Sequence, residues 1–329
     1  MSDRDWEAYA KSTYQWEQGH DKYLRMTKTS LTSDFGYCRF QYKKKRIEGR
    51  KSPTTDAMTR GTNVHDAMEE FYINVRPVYK KAHALLKKQD RDGAKALLMD
   101  CLPTPEEPYH LGEEPIIEQR IDWELVRLEA DPDRFLPIIN ELEVHAFVDV
   151  PFNFNGEELS IPVHFAGSID RAYHTEEDKV ALMELKTGKW VGTNFKVRSM
   201  RTEMAFYWDL LRKADHPLQD VTHWGWFYPA GHREDVPGSE NHVAYEKVSK
   251  RYLTTINKAV NELIEAYLTD NFPPQPSTGK CAHCDFVDEC PAWAEGGDIY
   301  WKGGWGNTLT PKSAAQRLKE LEEKKEAKK

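Results

Sequence analysis

The sequence predicts a mixed α/β fold with one central sheet flanked by helices, because the spacing of its apolar residues changes along the chain. Residues 56–76 repeat apolar side chains at helical spacing. Residues 143–173 instead alternate polar and apolar side chains, which is typical of half-buried strands. Helical spacing returns in residues 196–213, before further strands and a last helix. A chain that mixes elements in this way packs its helices against a sheet.

Each element has its own signal in the sequence. The predicted helices, which repeat apolar residues at helical spacing, cover residues 56–76, 79–99, 133–143, 196–213 and 252–270. The predicted strands, which alternate apolar and polar residues, cover residues 143–154, 161–173, 180–186, 221–229 and 242–248. A Pro-rich loop is predicted over residues 102–115, and a second Pro cluster at 272–276 ends the last helix.

We expect three regions along the chain. Residues 1–30 predict a polar N-terminal helical arm, residues 31–295 the folded domain, and residues 296–329 a charged C-terminal tail. The N-terminus lacks the apolar core of a signal peptide, and no apolar run approaches the roughly 18 residues of a membrane span. These features predict a cytoplasmic protein with no membrane partner.

The net charge of −8 argues against a protein that coats nucleic acid by bulk attraction. A local basic run is nevertheless present, since residues 39–51 contain seven Lys or Arg and one Glu. The residues of this run that we consider candidates for nucleic-acid contacts are Lys43, Lys44, Lys45 and Arg46. A solvated loop is the alternative interpretation of such a charge run.

Four of the five cysteines have the spacing of a metal site. Cys281, Cys284 and Cys290 follow a C-x2-C-x5-C pattern, and Cys38 would supply a fourth ligand from far upstream. In a reducing compartment, clustered cysteines indicate metal more often than disulfides. Four thiolates suit either tetrahedral zinc or an iron–sulfur cluster. Cys101 has no partner at such a spacing, which indicates an ordinary thiol.

Two carboxylates and a lysine are predicted to converge in the middle of the chain. Glu184 and Lys186, two residues apart in MELKTG, would face the same side of a strand. Asp170 ends the preceding strand in GSIDR, and pairing Tyr173 with Val180 places it opposite Met183, beside Glu184. Paired carboxylates suit Mg²⁺ or Mn²⁺. The alternative for this E-x-K alone is an ion pair on an exposed strand.

These motifs resemble those of the PD-(D/E)xK nuclease superfamily. GSIDR and MELKTG match its acidic core, and RGTNVHDAMEEFY is similar to the G-x-x-x-H helix of its RecB-like branch. Glu203 and Tyr207 align with that branch's Q-h-x-x-Y motif, although Glu203 departs from Gln. The resemblance implies a restriction-endonuclease-like fold with Lys186 as the catalytic lysine. It implies metal ligands at four positions: His65, Asp170, Glu184 and the Leu185 carbonyl.

The cysteines resemble those of the iron–sulfur subgroup of this branch, which includes the AddB-type nuclease domain and CRISPR-associated RecB-like exonucleases. This resemblance implies a 4Fe-4S cluster on Cys38, Cys281, Cys284 and Cys290 that joins the N- and C-terminal segments of the domain. It further implies an exonuclease for single-stranded or frayed DNA ends. The implied partners are DNA and a helicase, recombination or CRISPR-adaptation protein, and oligomers are possible.

Aromatic rings beside the predicted groove are candidates for stacking on bases. Tyr42 adjoins the basic run and Trp190 follows the lysine strand, although core packing is the alternative for both. Glu143 is a further candidate for a polar contact. Two other functions stay open: a nuclease-like fold that binds nucleic acid or protein without cleaving, and a zinc-stapled nucleic-acid-binding module.

Overall fold

The computed structural model describes residues 23–50, 54–105, 107–175, 177–233, 243–276, 278–281 and 284–294. The chain divides into two compact units that alternate along the sequence. The larger unit comprises Pro53–Ala146 and Ala166–Ile256; the smaller comprises Met1–Ser52, Phe147–Phe165 and Asn257–Lys329. The tail predicted over residues 296–329 and most of the arm predicted over residues 1–30 lie outside the described residues.

Six strands and six longer helices make up the described part of the chain. The strands are β1 (Leu24–Thr27), β2 (Ile139–Phe154), β3 (Glu157–His174), β4 (Val180–Leu185), β5 (Val221–Phe227) and β6 (Val243–Lys247). The helices are α1 (Asp56–Asn74), α2 (Tyr79–Lys87), α3 (Arg91–Met99), α4 (Glu113–Ala130), α5 (Asn194–Lys213) and α6 (Arg251–Thr269). No helix among the described residues is long and apolar enough to span a membrane.

The strands form a mixed sheet, which confirms the predicted fold class. Their order is β1-β3-β4-β5-β6, and β2 pairs with β3. Strand β4 is antiparallel to β3 and parallel to β5, while β6 is antiparallel to β5. The parallel pair requires a crossover connection, which α5 provides.

The predicted register of the β3–β4 hairpin is wrong by one residue. His174, not Tyr173, pairs with Val180, so that Arg171 rather than Asp170 lies opposite Met183. The turn sets this register, because the Thr175 N–H donates to the Lys179 carbonyl and closes the hairpin one pair further on.

Three helix predictions also need correction. The helix predicted over 79–99 is two helices, because Gln89 adopts a left-handed conformation (φ 63°) and Asp90 caps α3 by accepting a hydrogen bond from the Gly93 N–H. The segment predicted as helix over 133–143 instead enters β2 at Ile139. Residues Leu24–Thr27, predicted within a helical arm, form a strand.

Helix α4 was not predicted from the sequence. Its first turn overlaps the predicted Pro-rich loop, where Pro115 is tolerated because a first-turn N–H needs no helical partner. Its buried face includes Arg120 and Glu124 among apolar residues, which interrupts the hydrophobic pattern.

A buried polar network in the larger unit joins α1, α4 and β3. The Tyr72 hydroxyl donates to Glu124 Oε1 (2.6 Å) and lies 2.8 Å from the Tyr173 hydroxyl. Arg120 donates to Tyr72 (2.9 Å) and pairs with Glu124 (2.9 Å). Because α1 carries His65 and β3 carries Asp170, the network fixes the helix and the strand that position the site described next.

Candidate active site

The site forms where β3 and β4 meet helix α1. Asp170 Oδ2 accepts a hydrogen bond from the Leu185 N–H (2.8 Å), so that this carboxylate lies beside the end of β4. His65 Nε2 lies 3.2 Å from the Leu185 carbonyl oxygen and 3.9 Å from Asp170 Oδ2. A carbonyl oxygen only accepts hydrogen bonds, so Nε2 donates to it when this nitrogen is protonated. A cation bound between these groups would replace that proton.

Glu141 is a further carboxylate of the site, and it was not among the residues predicted from the sequence. Its Oε1 lies 3.3 Å from His65 Nδ1 and accepts a hydrogen bond from Arg171 (2.9 Å), while Oε2 accepts one from Ser168 (3.2 Å). Donor atoms of His65, Glu141 and Asp170 all lie within 4.8 Å of one another. A carboxylate on the second nitrogen of a metal-binding histidine is the usual way to orient its ring.

Glu143, the candidate for a further polar contact, lies outside this group of donor atoms. The Glu143 side chain is 60% exposed and pairs with His145 at 3.4 Å. Glu141 adopts a left-handed conformation (φ 54°), which is uncommon for a non-glycine residue. This conformation interrupts the strand alternation that would place Glu141 and Glu143 on one face, and no signal in the sequence indicates it.

Lys186 lies between two carboxylates. Its Nζ donates to Glu184 Oε1 (2.5 Å) and lies 3.3 Å from Glu203 Oε2. The other oxygen of Glu203 accepts a hydrogen bond from Ser199 (3.3 Å). The Glu184 carboxylate therefore faces Lys186. The carboxylates whose oxygen atoms lie within 4.8 Å of His65 are instead those of Glu141 and Asp170. Of the four ligand positions that the resemblance implies, the structure brings His65, Asp170 and the Leu185 carbonyl directly together.

The electrostatics of the site follow from burial and from its carboxylates. Burial opposes a charge on His65, but the Glu141 hydrogen bond and the Asp170 charge outweigh it, so that the pKa of His65 is raised. Burial would raise the pKa of Glu141, yet His65 and Arg171 hold it below its usual value. Burial, followed by the charges of Glu184 and Asp170, raises the pKa of Tyr207 well above its usual value.

The four spaced cysteines all line one cavity of the smaller unit. Cys38, Cys281, Cys284 and Cys290 share it with Tyr37 and Lys280, among others. Burial, together with the nearby thiols, raises the pKa of Cys284 to about 11. Among the described residues, however, no three of these sulfur atoms all lie within 4.8 Å of one another.

The basic run after Cys38 is engaged in ion pairs within the smaller unit. Lys43 pairs with Asp270 (3.0 Å), and Lys44 pairs with Glu48 (2.9 Å) and Glu289 (3.1 Å). Lys45 (3.9 Å) and Arg46 (2.5 Å) both pair with Asp34. A phosphate would have to compete with these carboxylates, so that nucleic-acid binding by this run remains a prediction.

The two aromatic residues predicted to stack on bases are buried. Tyr42 has no exposed surface (0%) and stacks on Phe272, with ring centroids 6.0 Å apart. Trp190 is 2% exposed and packs on Tyr228 at 4.9 Å. Neither ring can accept a base in this structure, because packing in the apolar core covers both.

The fold and the site together define a class of protein. A mixed sheet, a histidine–carboxylate group beside the C-terminal end of β4 and an adjacent lysine are the elements of a divalent-cation site suited to phosphoryl chemistry. The chain belongs to the PD-(D/E)XK nuclease superfamily, whose family model matches residues 29–291. Nucleases of this superfamily use divalent metals.

Comparisons with other proteins add little to this assignment. One similar solved structure is the crystal structure of SSO0001, at 14% identity and a TM-score of 0.35, covering 85% of this chain and 89% of that one. Another is the crystal structure of Scheffersomyces stipitis Rai1, at 15% identity and a TM-score of 0.21, covering 83% and 76%. A search of curated proteins finds no match.

Proposed function

We propose that the protein is a Mg²⁺- or Mn²⁺-dependent deoxyribonuclease, an exonuclease that hydrolyses phosphodiester bonds at single-stranded or frayed DNA ends. The observation that carries this proposal is the convergence of His65, Asp170 and the Leu185 carbonyl beside Lys186. These ligands, with Glu184, would hold the cation through one nitrogen and several oxygens, the donors that Mn²⁺ and Mg²⁺ accept. When bound, the cation activates water and neutralises charge on the phosphate.

Lys186 would stabilise the charge that develops on the phosphate. Its side chain is 27% exposed, enough for the ammonium group to meet a substrate, while Glu184 and Glu203 fix its position. Tyr207 stays protonated because its pKa is so high, and it packs beside the carboxylates as a neutral hydroxyl.

We further propose a structural 4Fe-4S cluster on Cys38, Cys281, Cys284 and Cys290. What supports it is that all four line one cavity. A single tetrahedral zinc ion, with Zn–S bonds of about 2.3 Å, would bring the sulfurs to roughly 3.8 Å from one another. No three of the described sulfurs lie within 4.8 Å of one another, so the choice of a 4Fe-4S cluster rests on the resemblance of the cysteine spacing.

The biological setting forms part of the same proposal. We place the protein in the cytoplasm, with DNA as its substrate. A helicase, recombination or CRISPR-adaptation partner would supply the unwound DNA ends. Assembly into oligomers is compatible with this role.

The test is degradation of end-labelled single-stranded DNA by anaerobically purified protein. We expect cleavage with Mn²⁺, none with EDTA, and loss of cleavage in Lys186→Ala and Asp170→Asn. Lys179→Ala is the matched control. Lys179 is the residue before β4 and Lys186 is the residue after it, but the Lys179 side chain is the more exposed of the two and pairs with Asp220. Equal rates in Lys186→Ala and the parent would contradict the assignment. Labels at the 5′ and 3′ ends give the polarity, and absorbance near 400 nm distinguishes iron–sulfur from zinc.

A second candidate function is binding without cleavage. The observation that favours it is Glu203, which stands where the resembled motif has Gln and lies 3.3 Å from the ammonium of Lys186. A binding scaffold would bind DNA in the presence of every divalent ion tested and would cleave it with none of them. The parent and the site variants would then behave alike.

A further inference from the structure

One face of helix α5 connects the catalytic lysine with the protein surface. Phe195, Ser199 and Glu203 are spaced four residues apart, so they lie on the same face at steps of about 6 Å along the helix axis. At the inner end, Glu203 contacts both Lys186 and Ser199, each at 3.3 Å. The outer end, Phe195, therefore lies about 12 Å along the axis from the carboxylate that holds the lysine.

Phe195 is the most exposed large apolar side chain among the described residues, at 76% of its surface. Single exposed apolar residues are common and often have no role. Two observations argue for a role here. The ring stands in the row that leads to Lys186, and two exposed cations are close in sequence, Arg198 three residues further along the same helix and Lys189 six residues before Phe195. The buried Trp190, by contrast, leaves its ring unavailable to a substrate.

We propose that Phe195 is a stacking platform for a base of single-stranded nucleic acid, next to the nucleotide whose phosphate reacts at Lys186. The proposal rests on the proposed nuclease function. Every base has an aromatic face, so an exposed ring binds single strands with little sequence preference, while nearby cations follow the phosphates. A helical side chain leans towards the N-terminus of its helix, and the ring therefore covers the surface at the start of α5.

The experiment compares Phe195→Ala, Phe195→Leu and Phe195→Trp with the parent in Mn²⁺-dependent cleavage of single-stranded oligonucleotides. We expect Phe195→Ala and Phe195→Leu to raise KM about tenfold, the loss of roughly one stacked base, with kcat nearly unchanged. Phe195→Trp should retain the parent KM. Oligonucleotides with one abasic position test the same contact from the substrate side, since one such position should raise KM in the parent but not in Phe195→Ala.

Tyr245→Ala is the matched control, because it removes another exposed ring (55%) from the edge strand β6. Binding is followed separately by quenching of 2-aminopurine in an oligonucleotide with Ca²⁺. If the parent cleaves and Phe195→Ala keeps the parent KM and quenching, the stacking site is refuted while the nuclease function stands. If the parent binds with Phe195-dependent quenching but never cleaves, the nuclease function fails and the stacking site stands. If the parent neither binds nor cleaves, both fail.

Discussion

Replacing Tyr72 by Phe should destabilise the larger unit, because one hydroxyl joins three elements there. That hydroxyl donates to Glu124 (2.6 Å), accepts from Arg120 (2.9 Å) and lies 2.8 Å from the Tyr173 hydroxyl, and Tyr72 is fully buried. A buried hydrogen bond to a charged group contributes about 1.5–3 kcal/mol. Phe fills the same volume, so the cavity contribution is small.

We therefore expect Tyr72→Phe to lower the free energy of unfolding by about 2–3 kcal/mol. Urea unfolding followed by circular dichroism measures this difference. Tyr79→Phe is the matched control, because Tyr79 packs on Phe135 beside the same core but makes no hydrogen bond through its hydroxyl within the described residues. A loss in Tyr72→Phe no larger than that in Tyr79→Phe would refute the role assigned to the network.

The remaining predictions concern the metal ligands, the buried aromatic ring and the cysteines. Glu141→Gln should weaken Mn²⁺ binding by roughly 10–100-fold in calorimetric titrations, since it removes the carboxylate that orients His65, whereas Glu143→Gln should leave it unchanged. Tyr42→Ala should cost about 3–5 kcal/mol of stability by urea unfolding, because its ring is buried; an effect on DNA affinity at unchanged stability would contradict that. Cys38→Ser should abolish absorbance near 400 nm and lower the melting temperature; full absorbance in this variant would exclude Cys38 as a ligand.

The elements with a regular pattern could be predicted from the sequence. Helix α1 buries one face, with residues such as Val64, Met68 and Phe71, and the apolar period identifies such an element directly. Helix α4 could not be recognised, because its buried face includes Arg120 and Glu124, which pair with each other within the helix and with the distant Tyr72 hydroxyl.

The site was predictable where its residues form local motifs. Glu184 and Lys186 are two residues apart, and their contact follows from that spacing. The role of Glu141 depends on a left-handed backbone conformation, and the hairpin register depends on a turn that closes at Thr175. Trp190 is buried because it packs against Tyr228, a residue distant in sequence, and no local sequence pattern indicates this contact.

The central claim is that His65, Asp170 and the Leu185 carbonyl form a divalent-cation site beside Lys186. Calorimetric titration of the protein with Mn²⁺ tests this claim most directly, with Asp170→Asn and His65→Ala as variants and Lys179→Ala as control. We predict one site in the parent and in Lys179→Ala, and affinity at least about tenfold weaker in both site variants. Mn²⁺ binding of equal affinity in the parent and in Asp170→Asn would contradict the claim.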